Sequence, residues 1–487
     1  MIMTSGLARY LRNPGDEGYR TPTIEDAERE LSIHSSDATE NALFKPPSRK
    51  ARDVHTSALE ALHDPAYRGS TNAAVDDLNV TADPGAAGSQ RRGSDSTAVD
   101  LSWKKRLRHF TWAYFTLTMA TGGVANVLYA IPFRFRGLET IGVVIFLLNI
   151  ALYLAIWALL LARFYFYPYT FRASFLHPTE SLFVPASVVS FGTILINISQ
   201  YGPDHTGYWL AHAVEVLFWI DAALAVAFSA GIYLLLWSTQ TFTIATMTPV
   251  WIFPAYPLLI IGPHAGILSA KLEPYRALPI IIGGTTIQGV GFLVSLMMYS
   301  AFIYRLMSQK LPKEHMRPAM FVSVGPSAFT VAGIVTMAAQ AKRVFPESFM
   351  GNGPVAADIL KVVVNFAALW LWGLAIFFFI ISSFAHWSTI GPGRLVFSMT
   401  WFSFVFPNTA LVTATLAIGH AFSCRPILIV GTAMVIPLLL MYLFVCGMMI
   451  RAAVLRHILW PQRGEDKDEG GFEINQIKPD TPGDMPV

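Results

Sequence analysis

Asn197 and Gln200 lie three residues apart in an apolar run, a spacing that puts two carboxamides on one face of a helix. Together their N–H donors suit a carboxylate that must be bound weakly enough to leave again. Smaller polar or permissive residues recur in similar settings: Thr121, Gly122 and Gly123, then Ser187, Thr248, Ser323, Ser327 and Ser403. A single Ser or Thr in an apolar helix more often bonds to its own preceding turn or lets a neighbour approach, so only the collective distribution argues for a pathway. Glu215, Asp221 and Lys361 are the main ionisable residues within apolar runs. Asp221 and His264 are the candidates for proton coupling, and Asp221 has a second reading, as a side chain protonated or paired at a contact between copies of the chain. No paired acid–base constellation, His-Glu-x-x-His motif or Gly-Lys dipeptide occurs, so neither an enzyme, a metal site, a cofactor nor ATP-driven pumping is expected.

The elements that must position these residues are membrane spans. With 53% hydrophobic and 14% charged residues among 487, the chain holds more apolar surface than one soluble core could hide. Ten runs approach the roughly 20 residues that cross a hydrocarbon layer: 110–133, 140–162, 181–201, 209–237, 246–270, 277–304, 318–341, 358–384, 395–420 and 426–450. Only helices satisfy the backbone over runs so continuously apolar, which predicts an all-α polytopic fold.

Proline falls on alternate runs: Pro185 in the third, Pro249, Pro254, Pro257 and Pro263 in the fifth, Pro326 in the seventh and Pro407 in the ninth, with Gly122-Gly123 in the first. Those runs also carry most of the uncharged polar side chains. Broken, polar helices belong where backbone can face water and smooth apolar helices belong against lipid, so five helical hairpins are expected to set five inner helices around a central pore.

Residues 1–102 and 458–487 read as disordered cytosolic tails flanking a transmembrane domain over 103–457. Lys and Arg favour that orientation, with Lys104 to Arg108, Arg163, Arg172, Arg305, Lys310, Lys313, Arg317, Arg394, Arg451, Arg456 and Arg463 on the cytosolic side and half as many outside. Arg91-Arg92-Gly93-Ser94 resembles a basophilic protein kinase site. Net charge of +3 without a basic stripe gives no reason to invoke nucleic acid, and Cys424 and Cys446 supply neither a disulfide framework nor a thiolate metal site.

Several segments carry a family resemblance. His109-Phe110-Thr111-Trp112 with Thr118-Met119-Ala120-Thr121-Gly122-Gly123 is similar to the first helix of fungal malic acid transport proteins. Phe191 to Gly202, Met247-Thr248-Pro249-Val250-Trp251, Gly325-Pro326-Ser327-Ala328-Phe329 and Trp401 to Pro407 resemble their third, fifth, seventh and ninth helices. The broader group is the tellurite-resistance/dicarboxylate transporter family, with the slow anion channels and sulfite exporters. The resemblance implies ten helices in quasi-fivefold arrangement and a plasma-membrane homotrimer with one pore per protomer, carrying C4-dicarboxylates such as malate, succinate and fumarate or, alternatively, sulfite or inorganic anions. It also implies a mid-membrane Phe that closes the pore, matched here by Phe406. Its place before Pro407 on a polar helix suits a ring that occludes a narrow conduit.

Overall fold

The computed structural model describes residues 103–387 and 397–459, which belong to one unit. Both tails as far as those limits, the Arg91-Arg92-Gly93-Ser94 motif, Arg394 and Arg463 lie outside the described residues. Every regular element among those described is helical. Ten helices carry the architecture: α1 (Phe115–Ala130), α2 (Leu138–Phe166), α3 (Ala186–Tyr201), α4 (Tyr208–Thr239), α5 (Tyr256–Ser269), α6 (Pro274–Gln309), α7 (Gly325–Val344), α8 (Gly353–Trp387), α9 (Phe406–Ala421) and α10 (Arg425–Val454). Nine segments among the described residues are long and apolar enough to cross a membrane, and α1, at 16 residues, is not one of them.

Two kinds of helix alternate. The even-numbered helices run continuously for 29, 32, 36, 35 and 30 residues. The odd-numbered helices have 16, 16, 14, 20 and 16 residues, and each follows a short lead-in. Tight 3-10 turns over Trp112–Tyr114, Pro249–Ala255, Glu314–Val324 and Met399–Phe404 precede α1, α5, α7 and α9, and the one-turn helix Glu180–Phe183 precedes α3. Pro185, Pro257, Pro326 and Pro407 stand at the cap or first turn of their helices, where the N–H that proline lacks is least missed. Proline in the interior of an apolar run would ordinarily kink a continuous helix. These four prolines instead mark the start of an α-helical segment, which leaves fewer backbone groups unsatisfied than an interior proline would.

α1 packs on α3, α3 on α5, α5 on α7, α7 on α9 and α9 back on α1, closing a cycle. Each even helix lies against two successive members of that cycle. Burial follows: 78–89% of the crossing window is buried in the segments containing α3, α5, α7 and α9, against 17–39% in the even helices. Trp370, Leu234, Met297 and Ile436 are among the large side chains that the even helices leave exposed, as expected where the solvent is hydrocarbon.

The inward faces of the outer helices are not wholly apolar. Asn149 on α2, Asp221 on α4 and Gln288 on α6 are fully buried, and each faces an inner glycine. A Cβ on Gly122 would come within 2.7 Å of Asn149 Nδ2, and one on Gly192 within 2.9 Å of Asp221 Oδ2. A Cβ on Gly262 would strike the Gln288 amide, whose Oε1 accepts the Gly262 N–H at 3.1 Å beside Pro263.

Candidate functional site

Three rings meet inside the inner cycle. Tyr256 and Phe406 are the first residues of α5 and α9, and Phe329 lies in the second turn of α7. Ring centroids are 5.1 Å apart for Phe329 and Phe406, 6.0 Å for Tyr256 and Phe406, and 6.1 Å for Tyr256 and Phe329. Because α5 and α9 are not neighbours in the cycle, the contact of Tyr256 with Phe406 falls across its interior. Phe253 stacks on Tyr256 at 5.2 Å, and Phe183, from the lead-in to α3, meets Phe253 at 5.1 Å.

The cluster is anchored by one polar bond. Tyr256 Oη donates to the Val322 carbonyl at 2.5 Å, just before α7 begins. It reaches that carbonyl past Gly325, where any Cβ would collide with the hydroxyl. Gly325 is therefore a steric requirement for the position of Tyr256.

The polar residues predicted from sequence divide by direction. Thr121 Oγ1 bonds to its own turn at Leu117 and lies 3.0 Å from Tyr442 Oη on α10, so it faces outward. Ser323 and Ser327 meet α6: Tyr299 Oη donates to the Ser323 carbonyl at 2.7 Å and lies 3.3 Å from Ser327 Oγ. Ser187 Oγ donates to the Val184 carbonyl at 2.9 Å. Gly122 and Gly123 give room to Asn149 and Thr193 on one side and Thr409 on the other. Thr248 and Ser403 are buried in or beside the lead-ins to α5 and α9.

Asn197 and Gln200 both turn toward α1. Asn197 Nδ2 donates to the Gly122 carbonyl at 3.1 Å and Gln200 Nε2 to Asn126 Oδ1 at 2.5 Å. Each amide thus commits one N–H to helix packing and retains another, while Asn197 Oδ1 and Gln200 Oε1 have no hydrogen-bond partner among the described residues.

Asp221 and His264 share the seam of α3, α4 and α5. His264 packs edge-on against Phe218, one turn before Asp221, and its Nε2 lies 3.3 Å from Ser199 Oγ. Neither carboxyl oxygen of Asp221 has a hydrogen-bond partner among the described residues. Its full burial within one chain overturns the reading of Asp221 as a residue at a contact between copies. Glu215 pairs instead with Arg276 at 2.7 Å, and Lys361 is exposed.

Just before the first lead-in, burial and then the Arg108 and Arg163 guanidinia push His109 down to about 4. Sequence reasoning missed Phe253, Tyr256 and Phe329, and with them Asn149 and Gln288. One signal was present: Phe253-Pro254 and Tyr256-Pro257 repeat the aromatic-proline pair of Phe406-Pro407.

A chain whose described elements are all helical, with exposed apolar helices outside and a closed cycle of broken, polar helices within, is a multi-pass membrane transport protein. The chain belongs to the voltage-dependent anion channel family, whose description matches residues 109–450. The malic acid transport protein of Schizosaccharomyces pombe is 32% identical over 365 residues, covering 74% of this chain and 82% of the relative. A putative malic acid transport protein of the same organism is 30% identical over 74% of this chain and 84% of its own length. A sulfite efflux pump of Trichophyton rubrum is 27% identical over 71% of this chain and 91% of its own. The family resemblance read from the motifs is borne out, and membership of a transporter family excludes the enzyme reading.

Proposed function

We propose that this chain passes C4-dicarboxylate anions, such as malate, succinate and fumarate, through a channel-like pore enclosed by α1, α3, α5, α7 and α9. The observation that carries the reading is the meeting of Tyr256, Phe329 and Phe406 within a closed cycle of broken helices. Similarity to malic acid transport proteins supports the choice of substrate. The proposal includes ten crossings as five hairpins in quasi-fivefold arrangement, and a homotrimer with one pore per protomer. It places the protein in a fungal plasma membrane with both termini cytosolic and its N-terminal tail open to a protein kinase.

The electrostatics suit an anion. With crossings that alternate in direction, the five inner helices run parallel and all begin inside the span. Their N-terminal ends then add partial positive charge at the level of the rings. Hydroxyl and backbone donors near those helix starts hold an anion without a fixed cation that would retain it, and the Asn197 and Gln200 amides stand further along α3. Phe406, backed by Pro407, is the gate in this reading, and Thr121, Gly122, Gly123, Ser187, Asn197, Gln200, Thr248, Ser323, Ser327 and Ser403 belong to the pathway or its walls.

Sulfite export is the second reading, favoured by relatives named as sulfite efflux pumps that cover most of their own length. Purified protein in vesicles, assayed for labelled malate and for sulfite release, separates the two. Sulfite release without malate or succinate flux overturns the substrate assignment. Asp221 and His264 are the proposed sites of proton linkage, because the Asp221 carboxyl stands buried at the seam of α3, α4 and α5 with no hydrogen-bond partner among the described residues. A pH-sensitive dye in the same vesicles tests it: dicarboxylate flux that carries no protons, or carries them equally in Asp221→Asn, removes Asp221 from that role.

A further inference from the structure

The rings do not stand alone at their lead-in side. Glu180 and Phe183 are the two ends of the one-turn helix that introduces α3. Glu180 is buried and pairs with the equally buried Arg163 in the last turn of α2, Nη1 to Oε1 at 2.6 Å and Nη2 to Oε2 at 3.5 Å. Ser174, on the connecting helix Tyr169–Leu176, sets its hydroxyl 2.9 Å from the same Oε1. The backbone is held as well, since His177 Nδ1 accepts the N–H groups of Glu180 at 3.1 Å and Thr179 at 3.3 Å.

This cluster fixes Glu180 by side chain and by backbone, in a place where two charges have been taken out of water. Such a pair is weak evidence for stability, because desolvation offsets most of its attraction, and a positional role is the better-attested use of buried charge. What it positions is three residues away. Phe183 reaches Phe253 at 5.1 Å, Phe253 stacks on Tyr256 at 5.2 Å, and Tyr256 meets Phe406 at 6.0 Å. A continuous run of packed rings therefore joins Phe183 to Phe406, and one helical turn joins Phe183 to the ion pair.

Resting on the reading of Phe406 as a gate, we propose that Arg163 and Glu180 are positioning residues for it: their ion pair latches Phe183 against Phe253 and so holds Tyr256 and Phe406 in the closed arrangement. Neither residue touches the anion. Releasing the latch lets Phe183 withdraw, which removes the backing of Phe253 and Tyr256 and frees the Phe406 ring to leave the path. Packed side chains with two discrete arrangements transmit effects of this kind, and coupling energies between mutants are the direct evidence for it.

The test is a double-mutant cycle on current, or labelled-malate flux, per surface-expressed protein. Glu180→Gln is expected to raise flux about threefold or more in the wild-type background and to add nothing in a Phe406→Ala background. Arg163→Lys, which keeps the charge, is expected to restore part of the closed behaviour relative to Arg163→Met. Should Glu180→Gln fail to reach the surface because it strands the Arg163 charge, Arg163→Met with Glu180→Leu removes the pair without an orphan and carries the same expectation. If Phe406→Ala raises flux but neither latch variant does, the latch is overturned and the gate stands. An equal gain from the latch variants in both backgrounds also overturns it, since they would then act elsewhere. If Phe406→Ala itself leaves flux unchanged or lowers it, the gate reading fails and takes the latch with it.

Discussion

In the outer helices α2, α4, α6, α8 and α10, 17–39% of each crossing window is buried, whereas the inner segments bury 78–89%. The outer set is also the more apolar and the longer. A soluble protein would bury its most apolar helices, so the inversion identifies lipid as the solvent of the outer set. The inner set then carries polar side chains and 3-10 lead-ins because its neighbours, rather than lipid, satisfy them. The comparison teaches that an apolar residue means different things in the two sets. On the outward face of an outer helix it meets hydrocarbon, and inside the cycle it meets other inner helices or, in the proposed function, the passing anion.

Truncating one buried Phe in each set should therefore give opposite results. Phe378 on α8 is 1% exposed and lies 4.7 Å from the Tyr299 ring. Phe378→Ala leaves a cavity costing about 3–5 kcal/mol and is expected to cut the amount of folded protein, with current per surviving molecule unchanged. Phe406→Ala is expected to raise current per surface-expressed molecule roughly tenfold, equivalent to ~1.4 kcal/mol of barrier, with weaker discrimination against chloride or nitrate. Less folded protein with unchanged current per molecule in Phe406→Ala would put that ring in the same category as Phe378 and reject the gate.

Glycines sharpen the contrast at smaller cost. A Cβ on Gly123 would lie 2.6 Å from Thr409 Oγ1, and one on Gly373, on the exposed face of α8, would meet nothing within 4 Å. Gly123→Leu is expected to overpack α1 against α9 by about 1–3 kcal/mol, visible as a lower melting temperature in detergent. Gly373→Ala should leave melting unchanged or raise it by the gain in helix propensity, ~1 kcal/mol at most. Equal effects at both sites would mean that the inner helices have slack that the packing distances deny.

Asn197→Leu with Gln200→Leu probes whether inner amides serve the anion or only α1. Loss of their hydrogen bonds is expected to weaken malate selectivity over chloride about tenfold, ~1.4 kcal/mol, while the protein still assembles. Unchanged selectivity assigns both amides to the bonds with Gly122 and Asn126 alone.

The smallest effect belongs to His109, outside the crossing segments. Its folded value near 4 lies below the ordinary 6.5, so between those limits the unfolded chain binds more protons. Its contribution to stability is complete above pH 6.5 and lost as pH falls toward 4. Thermal melts of wild type and His109→Gln should converge at low pH relative to their separation at pH 7, and a constant separation would contradict this.

Much of this arrangement was legible in the chain. Runs of apolar residues located the helices, and Pro185, Pro257, Pro326 and Pro407 marked where four of the inner ones begin. The direction of individual hydroxyls was not legible. A helix buried on all sides has no polar face for periodicity to reveal, so nothing local told Thr121, which turns to Tyr442, from a residue that faces inward. Phe329 and Tyr256 were hidden for a related reason: among 34 Phe and 17 Tyr residues, only contacts between distant segments single them out. Asn149 and Gln288 stood in runs apolar enough to read as smooth, and their glycine partners lie 27 and 26 residues before them in other helices.

The brevity of α1 matters for how the protein is made. Its 16 residues extend about 24 Å, short of a hydrocarbon layer of about 30 Å, and Trp112–Tyr114 must supply the rest. Of the ten helices that carry the architecture it is nonetheless the first to leave the ribosome. A segment that short and that dependent on neighbours has little to hold it in lipid until α2, with its 29 residues, emerges behind it. The two are therefore expected to partition into the bilayer as a pair. The basic residues that orient the nascent chain then act on that pair, and α3 is the first segment able to cover α1 from the other side.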